Sequence, residues 1–325
     1  MRNQVRVWRC YRDMRPLLAV AGNLSLRALV NPLATSDPGL LLPALLRGAD
    51  LPVHFLAPSK RVRCRAAGVI ERRLLRDVPE GSFRVCDRSH GQVLLPSPEL
   101  HLLLRASELD ALDLALLVCE YCGTYWTRPD LRRGLVKRPQ PMTSRARILE
   151  YLDRVPRGVR GVARLRQAVD LGFDGSASPR ESGLALLQTY RDGDAGFGLP
   201  RPVLNERVEL SRTAQAYARW PEATPDERWP GTMVCAEYES DLDHGGGDDP
   251  RALQKRKRDE NRRRALEEDG FTVEAIFADD LRDVAAVERL MKRLARDLGV
   301  RPNWAPVAGW LEPLRRRLVG YRCVI

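Results

Sequence analysis

"PDERWPGTMVCAEYES", residues 225–240, is the stretch that decides the fold of the carboxyl-terminal half of the chain. Its apolar run at residues 233–236 predicts a buried strand, which ends in Glu237 and Glu239 with Tyr238 between them. Successive side chains of a strand point to opposite faces, so the two glutamates are expected on one face and the tyrosine on the other. Two adjacent carboxylates repel each other. Either a positive group therefore lies beside them, or both are solvated at an edge of the sheet.

The segments around this strand predict alternating helices and strands. Pro250 in the first turn and Gly270 after the last turn are typical of a helix between them. The order helix, strand, strand, helix, strand, helix predicts an α/β (α+β) domain whose mixed sheet is flanked by helices. The predicted strands are residues 203–210, 233–237 and 271–277, and the predicted helices are residues 179–190, 249–270 and 280–298.

The amino-terminal half has a different texture. Residues 1–50 are rich in leucine and predict helices, whereas residues 51–96 alternate like strands and precede two further helices. The Gly- and Ser-rich segment LGFDGSASPRES, residues 171–182, marks the boundary between the halves. The predicted organisation is a smaller α+β domain over residues 1–140, a helical connector over residues 141–172 and the second domain over residues 173–325.

The composition predicts a soluble, cytoplasmic protein. Its 325 residues carry 54 Lys and Arg against 43 Asp and Glu, a net charge of +11. That balance favours a polyanionic partner such as nucleic acid, although a protein from an arginine-rich proteome would show it too. Charged residues interrupt every long apolar stretch, so no membrane span is expected. The apolar run at residues 17–22 is too short for a signal peptide.

The seven cysteines predict no disulfide framework, because they are scattered and odd in number. Cys119 and Cys122 have the spacing of a metal or redox pair, but no second pair and no matching histidines accompany them. The alternative is that both are small apolar residues at the end of a helix.

The ordered motifs of the carboxyl-terminal half resemble a known family. DERWPGTMVCAEYES is followed by His244 and then by DENRRRALEEDGFTVEAI. This series resembles the restriction-endonuclease-like domain of a widespread bacterial family related to the very-short-patch repair endonucleases. The resemblance covers about residues 178–300 and implies a restriction-endonuclease-like fold. More weakly, residues 51–106, with LPSPELHLLL near their end, resemble the middle part of AbiEi-type antitoxin proteins.

The resemblance implies a set of catalytic carboxylates. Its early helical Glu, its strand Asp, its Glu-x-Asp pair and its His match Glu181, Asp226, Glu237, Glu239 and His244. Asp226 and Glu237 would hold Mg²⁺ or Mn²⁺, which activates water and stabilises the charge of a phosphodiester under attack. Such a cation would also neutralise the paired glutamates. Glu239 and Ser240 stand where the family has Asp and Gly, and no lysine lies two residues after Glu237. His244 either assists the chemistry or is an ordinary loop residue.

The helix that follows is strongly basic and predicts a nucleic-acid-binding face. Arg251, Lys255, Arg258 and Arg262 recur at helical spacing, as a stripe that contacts phosphates would. The alternative is a solvated face balanced by Asp259 with Arg263 and by Glu260 with Arg264. A second basic cluster at residues 60–76 makes DNA binding by the amino-terminal half an expectation as well.

The function that these residues predict is DNA binding with metal-dependent cleavage of phosphodiester bonds, in a defence or toxin–antitoxin context. The alternative from another class is a regulator or antitoxin whose nuclease fold binds DNA and has lost activity. A third alternative is an interaction module without nucleic acid. DNA is the expected partner, no membrane is expected, and a homodimer is left open. Convergence of Asp226, Glu237 and Glu181 in space is the feature that distinguishes the enzyme from the regulator.

Overall fold

The computed structural model of the chain describes residues 17–21, 53–57, 69–73, 78–87, 92–127, 135–192, 195–239, 250–301, 304–305 and 309–319. These residues divide into two compact units. The first contains the described residues up to 121 together with residues 126–170, and the second contains residues 122–125 and the described residues from 171 onward. Helices and strands occur in both units, which confirms the predicted mixed class.

A five-stranded mixed sheet forms part of the first unit, in the order β3-β2-β1-β5-β4. β1 pairs in parallel with β2 and antiparallel with β5, so it is the central strand. The helical prediction for residues 1–50 is therefore wrong at β1, because a short apolar run fits a central strand as well as a helix. The strands are β1 (Leu17–Ala21), β2 (Val53–Ala57), β3 (Val69–Arg73), β4 (Phe83–Asp87) and β5 (Gln92–Pro96).

The rest of the first unit is mainly helical. Its remaining elements are α1 (Pro98–Arg105), α2 (Ala111–Cys122), β6 (Tyr125–Thr127), β7 (Leu135–Lys137), α3 (Arg145–Arg154) and α4 (Val162–Leu171). Three of their terminal residues belong to the second unit: the last residue of α2, the first of β6 and the last of α4. Ser97 begins α1, because its side chain accepts a hydrogen bond from the Leu100 amide at 3.2 Å. Cys119 and Cys122 are buried thiols at the end of α2.

A four-stranded mixed sheet and the helices around it form the second unit, as predicted. Its order is β10-β13-β14-β15; β14 and β15 are parallel, and the other pairs are antiparallel. The elements of the unit are α5 (Pro179–Thr189), β8 (Arg191–Asp192), β9 (Ala195–Gly196), β10 (Val203–Leu204), β11 (Val208–Glu209), α6 (Arg212–Ala218), β12 (Glu222–Ala223), β13 (Glu227–Arg228), β14 (Val234–Glu239), α7 (Pro250–Glu268), β15 (Thr272–Phe277), a 3-10 turn (Ala278–Leu281), α8 (Val284–Asp297) and α9 (Leu311–Leu318).

The apolar face between this sheet and α7 positions the acidic residues described below. Cys235 on β14 and Val273 on β15 pack in one buried cluster with Ala265 and Leu266 of α7, which α6 also joins. Burial of a leucine of this kind contributes about 2 kcal/mol. Because residues two apart on a strand share a face, Glu237 points to the same side as Cys235, toward α7.

Two predicted elements are shorter in the structure. The strand predicted at residues 203–210 is split into β10 and β11, because Asn205 adopts a left-handed conformation with φ of 51°. The helix predicted from residue 280 begins at Val284, because the Asp283 side chain accepts the Ala286 amide at 2.8 Å as an N-cap. Within the described part of the chain, no helix combines the length and the apolar character that a membrane crossing requires.

Candidate active site

A tight turn between β13 and β14 sets Asp226 beside Glu237. The Trp229 amide donates to the Val234 carbonyl at 3.2 Å, and the Trp229 indole N–H donates to the Pro200 carbonyl at 2.8 Å. In this register Glu227 pairs with Ala236, so continuing it by one residue places Asp226 opposite Glu237. Directly opposed residues of an antiparallel pair point to the same face. The two carboxylates that the sequence singled out are therefore cross-strand neighbours.

Asp226 accepts a hydrogen bond from the backbone of β14 and has negatively charged side chains near it. Its Oδ2 accepts the Tyr238 amide at 2.7 Å. Burial, together with the charges of Glu181 and Glu237, raises the pKa of Asp226 to about 7. The amide hydrogen bond and the guanidinium of Arg262 oppose that rise. Asp226 therefore lies within electrostatic range of both of its predicted partners.

Glu181 is brought to this site by Asn205. Glu181 lies in the first turn of α5, which Ser178 caps, and its Oε2 accepts the Ala177 amide at 2.8 Å and the Asn205 side-chain amide at 2.8 Å. The backbone amide of Asn205 donates to the Asp226 carbonyl at 3.1 Å. One asparagine thus connects two of the predicted carboxylate residues. Asn205 was not predicted, although a lone asparagine within an apolar strand pattern indicates a left-handed residue.

The positive group expected beside Glu237 is Arg262, from α7. Its Nε donates to Glu237 Oε1 at 2.8 Å and its Nη2 donates to Oε2, which is a two-pronged ion pair. Only 6% of the Glu237 side chain is exposed, against 33% for Arg262. Burial raises the pKa of Glu237, and the guanidinium opposes that rise. The positive group expected beside Glu237 and Glu239 is therefore a side chain of the protein.

The remaining predicted residues lie apart from this contact or outside the described residues. Glu239 lies at the end of β14 and is half-buried. His244 lies outside the described residues. Arg251 and Lys255 are on α7, and Arg258 is exposed there. Arg262 was predicted on the phosphate-binding face, but its guanidinium turns inward to Glu237.

The charged surface of α7 is partly neutralised by the helix itself. Arg264 pairs with Glu260 at 2.6 Å, as the solvated alternative predicts. Arg263 pairs with Glu267 at 3.0 Å rather than with Asp259, which lies 3.5 Å from Arg262. Exposed pairs of this kind contribute little to stability and are screened by salt.

A second buried acid, Glu227, lies next to Asp226 and was not predicted. Its Oε2 accepts the Gln188 side-chain amide at 2.7 Å, and its Oε1 is buried without a hydrogen-bond partner among the described residues. Burial raises the pKa of Glu227 to about 8. Asp226 directly precedes Glu227, the first residue of β13, so the two side chains point to opposite faces of the extended chain, and Glu227 reaches α5.

The donors at the site suit a hard divalent cation with few protein ligands. Among the described residues, no three His, Cys, Asp or Glu side chains are arranged to hold a metal ion together. Mg²⁺ often binds through one or two carboxylates and completes its shell with water and phosphate oxygens. Asp226 fits that role, since only its Oδ2 accepts a hydrogen bond from the described residues. Glu181 and Glu237 add negative charge beside it.

Comparison with known proteins found no relative of this chain. No family model, no curated protein and no solved structure matches the chain. A function has to be argued from the residues of the site and their chemistry, because a fold alone does not define an activity.

Proposed function

We propose that the protein binds DNA and that its second unit is a Mg²⁺- or Mn²⁺-dependent endonuclease of the restriction-endonuclease-like class. The observation that supports the proposal is the approach of three carboxylates from separate elements. Asp226 precedes β13, Glu237 ends the buried part of β14 and Glu181 begins α5. Each is buried or half-buried, and the charges of Glu181 and Glu237 act on Asp226. Acids with raised pKa values in such a cluster, as Asp226 and Glu237 have, are typical of functional sites.

A divalent cation bound here would lower the pKa of a bound water and stabilise charge on the scissile phosphate. Asp226 would be its principal ligand. Glu181, fixed by two amide donors, would keep the site negative and would accept a hydrogen bond from a water at the cation. The Tyr238 amide orients the Asp226 carboxylate through Oδ2. These residues supply orientation and charge before substrate arrives.

The basic helix α7 supports DNA as the substrate. It follows β14 in the chain and carries Arg262 at the acidic site. Lys257 and Arg258 are exposed one turn before Arg262. Cations on this helix would hold the phosphate backbone close to Asp226, with a salt-dependent affinity.

A DNA-binding regulator without cleavage activity is the second candidate. It is favoured by the ion pair between Arg262 and Glu237, in which both carboxylate oxygens are already occupied. It is also consistent with Glu239 in place of the Asp of the resembled family. The two candidates share DNA binding and differ in metal-dependent cleavage.

Cleavage assays on supercoiled plasmid and on labelled duplex oligonucleotides separate the two candidates. The endonuclease should cut with Mg²⁺ or Mn²⁺ and stop when EDTA is added. Asp226→Asn should reduce cleavage to background while DNA binding persists, because the amide keeps the shape but loses the charge. Asp279→Asn is the matched control, since Asp279 is 86% exposed and pairs with Arg282 at the surface. DNA binding with no cleavage by the wild type would support the regulator instead.

A further inference from the structure

We infer that Arg262 and a divalent cation compete for the same two oxygens of Glu237, so that Arg262 holds the place of the cation in the metal-free protein. The inference rests on the proposed function, since it concerns a cation at the same acidic site. It assigns to Arg262 a role that a phosphate-contacting arginine would not have. Arg262 becomes a positioning residue that controls how the site accepts metal.

The geometry of the ion pair carries the inference. Two nitrogens of the Arg262 guanidinium donate to one oxygen of Glu237 each, so both carboxylate oxygens accept a hydrogen bond from Arg262. A two-pronged contact of this kind is among the strongest that a carboxylate makes. The Glu237 side chain is also almost fully buried, which limits its freedom to turn toward another partner. A hard cation that binds an oxygen of Glu237 lies beside the guanidinium, and the repulsion between the two positive charges favours opening of the ion pair.

Arg262 has a second acceptor to which it can move. Its Nη2 lies 3.5 Å from Asp259 Oδ1, one turn earlier on α7. The Arg262 side chain is one-third exposed, so its guanidinium can leave Glu237 without losing all of its solvation. Release of Glu237 would therefore leave Arg262 paired with Asp259 and hydrated, rather than buried and uncompensated.

The charge balance of the site makes such an exchange favourable only when a cation arrives. Two carboxylates, Glu181 and Glu237, and one guanidinium, that of Arg262, act on Asp226, so the metal-free cluster is negative when its acids are ionised. Loss of Arg262 alone would increase the repulsion among the carboxylates. A divalent cation replaces one positive charge by two and reduces it.

Mn²⁺ binding to the purified full-length protein tests the inference, measured by calorimetry and by the loss of the free Mn²⁺ signal in electron paramagnetic resonance. Arg262→Gln should bind Mn²⁺ roughly tenfold more tightly than the wild type, because no guanidinium has to be displaced. Arg258→Gln is the matched control, since it removes the same charge from an exposed position one turn away. It should change the affinity by no more than about twofold.

Arg262→Lys keeps the test decisive if Arg262→Gln does not fold. Lysine retains the charge but is a point donor that cannot engage both oxygens as a fork, so competition predicts an intermediate gain in affinity. Simple structural damage would weaken Mn²⁺ binding, and a purely long-range effect of charge would leave Arg262→Lys like the wild type. Either result would overturn the inference, as would weak or absent Mn²⁺ binding by every variant.

The outcome is independent of the cleavage assay. If the affinities follow the expected order but the wild type does not cut DNA, the competition stands and the endonuclease proposal fails. If the wild type cuts DNA with Mg²⁺ but Arg262→Gln binds Mn²⁺ no more tightly than Arg258→Gln, the endonuclease proposal stands and the competition is wrong.

Discussion

Glu120 in the first unit and Glu237 in the second are both buried glutamates, but their partners differ. The Glu120 carboxylate accepts hydrogen bonds from the Thr127 amide at 3.3 Å and from the Thr127 hydroxyl at 3.1 Å. Glu237 receives the guanidinium of Arg262. Burial raises the pKa of both acids, and that of Glu120 reaches about 8. The effect that most opposes the rise comes from the neutral donors of Thr127 at Glu120, ahead of the Arg138 guanidinium, and from the guanidinium of Arg262 at Glu237.

This difference distinguishes a buried acid with a structural role from a buried acid in a candidate functional site. The raised pKa of Glu120 favours its protonated form at neutral pH, with the Thr127 hydrogen bonds and the Arg138 guanidinium opposing that rise. Glu237 belongs to a cluster of charged groups that includes Asp226 and Arg262. A buried acid therefore indicates a functional site only together with the charges around it.

The largest expected effect comes from removing Trp229, which holds the turn between β13 and β14 and so the register of the strand that carries Glu237. Trp229→Ala deletes an indole that is 1% exposed and its hydrogen bond to Pro200, and it should cost about 4 kcal/mol. Hydrogen exchange should show faster opening of β14 in the second unit and little change in α1 and α3. Trp220→Ala is the control, because Trp220 is 69% exposed. Equal destabilisation by both variants would contradict the role of the turn.

Glu120→Gln tests the neutral acid directly. The pKa of Glu120 rises from 4.5 in the unfolded chain to about 8 in the fold, so the stability that the protonated acid provides is complete below pH 4.5 and is lost as the pH rises toward 8. The amide cannot ionise and should make the protein about 3 kcal/mol more stable than the wild type at pH 9. Urea unfolding from pH 5 to pH 9 measures this. The exposed Glu150→Gln should keep the wild-type slope, and a flat wild-type profile would contradict the prediction.

Glu237→Gln tests the ionised member of the comparison. The amide leaves Arg262 without its main partner and should destabilise the second unit by about 2 kcal/mol, less than for a fully buried pair because Arg262 is partly exposed. Thermal and urea unfolding at pH 7 measure the loss. Glu239→Gln, two residues along the same face, should stay within about 0.5 kcal/mol of the wild type. If the two variants behave alike, the ion pair does not distinguish Glu237.

The smallest expected effect concerns the cations of α7. Replacing Lys255 and Arg258 together by alanine should lower the slope of log affinity for DNA against log salt by up to about two contacts, since both are predicted to face phosphates. Arg262→Ala should leave that slope close to wild type, because its guanidinium already contacts Glu237. Fluorescence anisotropy over a series of salt concentrations measures both. An equal decrease of the slope for Arg262→Ala would indicate that Arg262 also contacts phosphates.

Local rules placed most elements of the second unit correctly. Ser178 and Pro179 begin α5, Pro250 begins α7 and the apolar run before Glu237 forms β14. Each of these features depends on residues a few positions apart, which is the range over which capping and periodicity act. The same rules do not apply to β1, where pairing with strands distant in the chain decides the conformation.

The sequence alone determined that Glu237 and Glu239 share one face of β14, because the two-residue repeat of a strand holds regardless of context. It also determined where α7 begins. Only the tertiary structure decided that Asn205 connects Glu181 to Asp226, that the Gln188 amide donates to Glu227, and that Arg262 turns inward to Glu237. The side-chain hydrogen bonds among these residues join partners 24 to 39 residues apart in the chain, and no local pattern encodes the contacts. The free energy of bringing such groups together depends on burial and on every neighbouring charge, which exist only once the sheet and its helices have packed.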